Sequence, residues 1–208
     1  AVLAGGDHRP QVAGGGGARQ AGRVPSPGLV DCPHAERCPG CPLIALAPEA
    51  QLAAKAERLA RALAPFPVLR GIAPAPVHAA PTRTDYRTRA KLVVGPGPCL
   101  GLYARATHEG LDLPGCRVLA PGIAEAAAAL RRLLAAPPGD AAAVLRAEGD
   151  GPGRLRALDL REVRDGGGAG VIATLVVRVP PDPDLAQVAA AAEHLAVALP
   201  ALRGDAVS

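Results

Sequence analysis

Glycine and proline supply 25 and 23 of the 208 residues, just under the roughly 25–30% at which unpatterned Gly and Pro signal disorder. Hydrophobic residues reach 49%, with one Phe, two Tyr, no Trp and no Met, so any core must be built mainly from Ala, Leu and Val. The net charge of +4 fits nucleic-acid binding without requiring it. No apolar run reaches the ~18–20 residues of a membrane span, and five cysteines without a secretory leader argue against a disulfide scaffold. The opening Ala-Val-Leu-Ala has no basic stretch before it and is followed by Asp7, His8 and Arg9, which is not a signal peptide. A cytoplasmic location is expected. The lack of Met even at position 1 predicts a segment or a processed chain.

Residues 1–30, with Gly14–Gly17 and Pro25-Ser26-Pro27, read as a flexible leader. Residues 31–47 hold three of the cysteines. Residues 48–64 predict a helix: Pro48 suits its first turn, Glu49 complements the dipole, and Leu52, Ala56, Leu59 and Leu63 form one stripe. Glu57 and Arg61 form an i,i+4 pair, and Pro65 and Pro67 end the helix. Pro74–Pro81 is a connector.

From Tyr86 to Val94 the period changes to two. Ala90, Leu92 and Val94 share a face, with Tyr86 and Thr88 assigned to it, and Arg87, Arg89 and Lys91 take the other. Gly95–Pro98 is a turn and Leu100–Arg105 a second strand, giving a hairpin with a basic outer face. Residues 121–136 predict a helix, and residues 140–147 a shorter one. Residues 154–163 and 171–179 are strands of a second hairpin. Residues 182–199 are a last helix, capped by Asp182 with Pro183 in its first position. This order predicts an α+β fold with mostly antiparallel hairpins and flanking helices.

Cys32, Cys38 and Cys41 form C-x5-C-x2-C on a loop made tight by Pro33, Pro39, Gly40 and Pro42. Thiolates are the metal-binding form, and iron–sulfur clusters are commonly held by four cysteines. Cys99 and Cys116 are the candidates for the fourth. Cys99 begins an apolar strand and reads as a small buried hydrophobe. Cys116 follows a Pro-Gly turn at the mouth of a helix, a better context for a ligand. The spacing favours iron–sulfur over zinc, since only Cys38 and Cys41 fit a zinc-type pair. A Cys3His zinc site using His34 and a set of buried or reactive thiols are the alternatives.

These motifs, in this order, resemble the AdoMet-dependent RNA uracil-5-methyltransferases of the TrmA/RumA (RlmD-like) type. The similar segments are the Cys32–Cys41 loop, the Leu52–Leu63 helix, the Tyr86–Lys91 strand, Gly101–Arg105, and His108–Leu119 with its Asp112 and Cys116. The later pair LRALDLREV and VIATLVVRV is similar to the central-domain hairpin of that family. The resemblance covers about residues 30–200. It implies a [4Fe-4S] cluster on Cys32, Cys38, Cys41 and Cys116, with no such role for Cys99. It implies rRNA or tRNA as the partner, held in a loop or single-stranded region, with Tyr86, Arg87, Arg89 and Lys91 facing it. The same four residues also suit a solvated strand face. Arg105 and His108 are weaker candidates, and His108 more readily stabilises a turn.

The resemblance has limits. No Gly-rich AdoMet loop opens a helix after a strand, and no catalytic Cys or Glu base is recognisable. The expected division is a leader over 1–30, a cluster loop and helix over 31–74, and a central RNA-binding domain over 75–204. The AdoMet domain is expected to lie outside the chain, which would be a monomer and inactive alone. Competing readings are a zinc- or cluster-stabilised nucleic-acid-binding module without catalysis and an electron-transfer iron–sulfur protein.

Overall fold

Strict alternation of leucine with charge builds the centre of the molecule. In the computed structural model, which describes residues 28–207 except Pro98, Asp150 and Gly167, Leu158 and Leu160 are fully buried while Asp159 and Arg161 face outward. They lie on β4 (Leu155–Asp165), which pairs antiparallel along its length with β5 (Gly168–Val177). A register shift between Leu155 and Ala157 brings Leu155 into the same core as Leu158 and Leu160, as a bulge does. β1 (Arg89–Gly95) lies on the other side of β4, and Ala90 and Leu92 are buried beside Leu158 and Leu160.

β2 (Cys99–Tyr103) and β3 (Gly110–Asp112) extend the sheet at one edge. At the other edge β6 (Leu202–Val207) joins β5 in parallel. The order is β3-β2-β1-β4-β5-β6. α2 (Pro121–Ala135) and α4 (Leu185–Ala198) cover one face, with the short α3 (Ala142–Leu145) against α4. Ile123 and Leu130 from α2, Leu145 from α3 and Leu195 from α4 meet Leu158, Leu160 and Leu175 in the core. The fold is α+β and mostly antiparallel, as the sequence predicts. The core is leucine and alanine; Phe66, Tyr86 and Tyr103 are all exposed.

Four expectations change. The last strand, β6, has no counterpart in the sequence reading. The last helix begins later: Asp184, rather than Asp182, caps it, its Oδ1 accepting from Ala186 N at 3.0 Å and Gln187 N at 3.4 Å. Tyr86 does not share the buried face of β1; it precedes the strand and is exposed. The helix α1 (Pro48–Leu63) forms as expected and carries the Glu57–Arg61 pair at 3.8 Å. Its apolar stripe, however, stays open, with Leu59 and Ala56 exposed and Leu52 and Leu63 half-buried. The expected leader falls almost wholly on residues outside those described.

Candidate metal centre

The cysteine loop is a series of tight turns. Ala35 N donates to Cys32 O (3.2 Å), Cys38 N to His34 O (2.8 Å) and Ile44 N to Cys41 O (3.1 Å). Ile44 is the only buried residue of segment 28–72. The loop is fixed instead by bonds to a distant stretch of chain. His34 Nε2 lies 2.7 Å from the Pro114 carbonyl; since a carbonyl only accepts, that nitrogen carries the hydrogen. Arg117 Nε donates to Asp31 O at 3.0 Å. Arg105 N donates to Arg37 O at 3.4 Å, and Arg37 pairs with Glu109 at 2.8 Å.

These ties bracket Cys116. Gly115, at φ +65°, makes the turn that presents it, a conformation glycine adopts without a Cβ clash. Cys32, Cys38, Cys41 and Cys116 line one cavity, together with His34 and Arg117. All five cysteines of the chain are free thiols, each half-buried. Burial pushes the Cys41 thiol up, the Arg87 guanidinium opposes this, and Cys116, Cys38 and Cys32 add to it. The other three thiols are thus within electrostatic reach of Cys41. Gly40 N donates to Cys38 Sγ at 3.4 Å, so one loop amide already serves a sulfur. Any side chain at Gly40 would press on Leu102, with a Cβ 3.1 Å from its Cδ1.

Four thiols from two chain segments, with an amide donor and a cation beside them, are the donor chemistry of a cysteine-ligated iron–sulfur cluster. The space between them is small, about 20 Å3, close to what one water needs. Among the described residues no three His, Cys, Asp or Glu side chains close on a point as one metal ion requires. A metal or cluster here would require the thiols to move, which their half-buried positions permit. Cys99 lies outside this cavity. Burial and the Asp112 carboxylate raise its thiol, while a Gly95 backbone bond and Arg131 oppose them.

Arg87 leaves the expected basic face. It sits ahead of β1 and bridges in parallel to Leu119, its N–H donating to Val118 O (2.8 Å) and its carbonyl accepting from Ala120 N (3.0 Å). Its Nη2 comes within 3.5 Å of Gly40 O. Arg89 and Lys91 do project from the open face of the sheet. Arg89 makes a forked bond to Asp159 (3.1 and 2.6 Å). That bond holds the Asp159 carboxyl below its ordinary range, against burial, with Arg161 and Lys91 assisting. One carboxylate among Arg89, Lys91 and Arg161 leaves this face net positive. Tyr86 stands exposed before it. His108 packs edge-on against Tyr103, ring centroids 5.7 Å apart, so its contact is local.

A second cavity, of about 150 Å3, opens where β1 and β2 part. The two strands pair only from Val93 to Gly95 with Cys99 to Gly101, after which β2 stays with β3. Leu92, Leu100, Leu102, Leu113 and Leu119 line it, and Arg87, Arg89, Lys91 and Arg131 are its charged residues. Cys116 lines both cavities. Arg131 reaches it from α2, held by Asp112 Oδ1 (2.7 Å) and Leu100 O (2.9 Å). No sequence pattern marks Arg131 or the counter-charge Asp159. Their partners lie on other elements, and no local spacing announces them.

No protein-family model and no curated protein matches the chain. Among solved structures it is similar to the tRNA (uracil-54, C5)-methyltransferase of Pyrococcus abyssi in complex with S-adenosyl-L-homocysteine, with a TM-score of 0.49 and 22% identity. The match covers 76% of this chain and 34% of that one; the chain spans about a third of that structure. A likeness at this level assigns no function. No helix among the described residues is long and apolar enough to cross a membrane.

Proposed function

We propose that the chain is the cluster-bearing, RNA-binding part of an enzyme that methylates C5 of uracil in rRNA or tRNA with AdoMet. The observation that carries this reading is that Cys116, far away in sequence, lines the same cavity as Cys32, Cys38 and Cys41. Those four cysteines would hold a [4Fe-4S] cluster. The cluster's contribution is a cross-link between the 31–43 loop and the 114–117 turn, in a segment with almost no core of its own. Tyr86, Arg87, Arg89 and Lys91 would face the RNA, with Arg87 set between the cysteine loop and the basic face. The methyl transfer itself would fall to an AdoMet-binding domain, and the division into 1–30, 31–74 and 75–204 follows the same reading. A cytoplasmic monomer is the expected setting.

A second reading, a structural zinc ion on the same thiols, is favoured by the small volume between them. Anaerobic purification followed by iron, sulfide and zinc analysis separates the two. A brown protein with iron and inorganic sulfide supports the cluster; a colourless protein with zinc replaces it. RNA binding is then measured against salt. A log–log slope near zero would overturn the RNA reading, because every phosphate contact makes affinity salt-dependent. Reversible redox activity without RNA affinity would favour electron transfer.

A further inference from the structure

The geometry points to the cavity between β1 and β2 as a binding site for one pyrimidine nucleotide, its ring on the leucine floor and its phosphate on the cationic rim. This deepens the reading above and rests on the basic face meeting RNA. Three observations combine. The first is size. A cavity of about 150 Å3 lined by leucine side chains is the size that admits benzene in an engineered protein cavity. The space here is of that volume, so it matches one six-membered ring more closely than a bicyclic purine.

The second is charge. Four cations line the cavity, and only two carboxylates, Asp112 on Arg131 and Asp159 on Arg89, offset them. Arg87 makes one long side-chain contact, 3.5 Å to Gly40 O, and also faces the Cys41 thiol. Lys91 helps hold the Asp159 carboxyl low while Arg89 makes the direct bond. An anion therefore finds donors that are not spent on the fold. The third is the lining itself. With Tyr86, Tyr103 and Phe66 outside both cavities, a base here would lie on leucines with guanidinium groups among the lining, and guanidinium stacks on aromatic rings.

The test uses the whole chain. UMP, AMP and inorganic phosphate are titrated while methyl NMR follows Leu92, Leu100, Leu102, Leu113 and Leu119. UMP is expected to shift these methyls, and AMP to bind at least about tenfold more weakly, the scale on which an apolar pocket resolves size. Equal binding of UMP and AMP, or phosphate alone reproducing the UMP shifts, overturns the proposal. Ala127→Leu fills the cavity from α2 and leaves all four cations. It should weaken UMP and a short single-stranded RNA, whereas Lys91→Gln should lower the salt slope for that RNA by about 0.7. RNA affinity unchanged in Ala127→Leu overturns the nucleotide site and leaves the RNA reading standing. UMP binding on the leucines without any RNA affinity does the reverse and makes a free nucleotide the ligand. If Ala127→Leu fails to fold, the wild-type methyl shifts decide.

Discussion

The cysteine segment, residues 28–72, and the sheet with its helices, residues 87–207, are held together by different physics. The sheet unit buries leucines from seven elements into one core. The cysteine segment buries Ile44 alone, and its helix α1 keeps its whole surface open or half-open. What fixes it is a set of directed bonds to 105–117 and four thiols around one small space. Exposed bonds and ion pairs of this kind are each worth about a kilocalorie or less. A metal or cluster on the thiols would therefore carry much of the segment's stability, whereas the sheet stands on apolar burial.

The largest way to break that contrast is Cys116→Ala. Structural metal in small domains is apparently worth on the order of 10–16 kcal/mol, so losing one ligand should empty the site and loosen residues 31–65. Cys38→Ala should do the same and Cys99→Ala should not. Metal content and hydrogen exchange report both effects. Equal occupancy in the Cys116→Ala and Cys99→Ala proteins would remove Cys116 from the ligand set. The sheet should keep its protection in all three.

Leu158→Ala is the reciprocal break. Leu158 is fully buried at the centre of the core, and such truncations cost roughly 2–5 kcal/mol. Denaturant unfolding should show that loss. Leu59→Ala on α1, 39% exposed, should stay within about 0.5 kcal/mol, as surface changes do. A large loss at Leu59 would mean that α1 is covered in solution. Smaller again than Leu158→Ala is Asp184→Ala, which removes the cap of α4 and should cost about 0.5–2 kcal/mol.

The two regions were unequally legible in sequence. The β4–β5 hairpin announces itself because Leu158 and Leu160 alternate with Asp159 and Arg161. The α1 stripe has equally good spacing, but spacing states only that residues share a face, not that anything covers it. β6 is short, contains Gly204 and Asp205, and pairs in parallel, so its partner is chosen by the path of α4 rather than by local pattern. Asp182 and Asp184 both flank Pro183, and only the backbone decides which carboxylate reaches Ala186 N. In the site, spacing marked Cys32, Cys38 and Cys41, and the Pro-Gly turn context and the resemblance favoured Cys116 over Cys99; the four line one cavity. It could not show that Arg87 turns toward them, because alternation groups it with Arg89 and Lys91. The chain enters the sheet only at Arg89, and Arg87 belongs to a separate bridge with Leu119.

The smallest effect sharpens the comparison through pH. Arg89's hydrogen bond holds the Asp159 carboxyl below its unfolded value. A depressed folded pKa contributes stability that is fully present above the unfolded pKa and lost as pH falls through the folded one. The pair lies on the sheet, so acid should weaken β1 against β4 while the ties between the cysteine loop and the 105–117 stretch, most of them to backbone carbonyls, feel little. Thermal unfolding of the wild type should fall below the ordinary carboxylate range, and Asp159→Asn should flatten part of that fall. An unchanged acid limb in Asp159→Asn would assign the pH sensitivity to other carboxylates. The same substitution also removes one of the two counter-charges at the β1–β2 cavity. It should therefore raise, not lower, the affinity for an anionic ligand there, so stability in acid and binding at neutral pH read two consequences of one carboxylate.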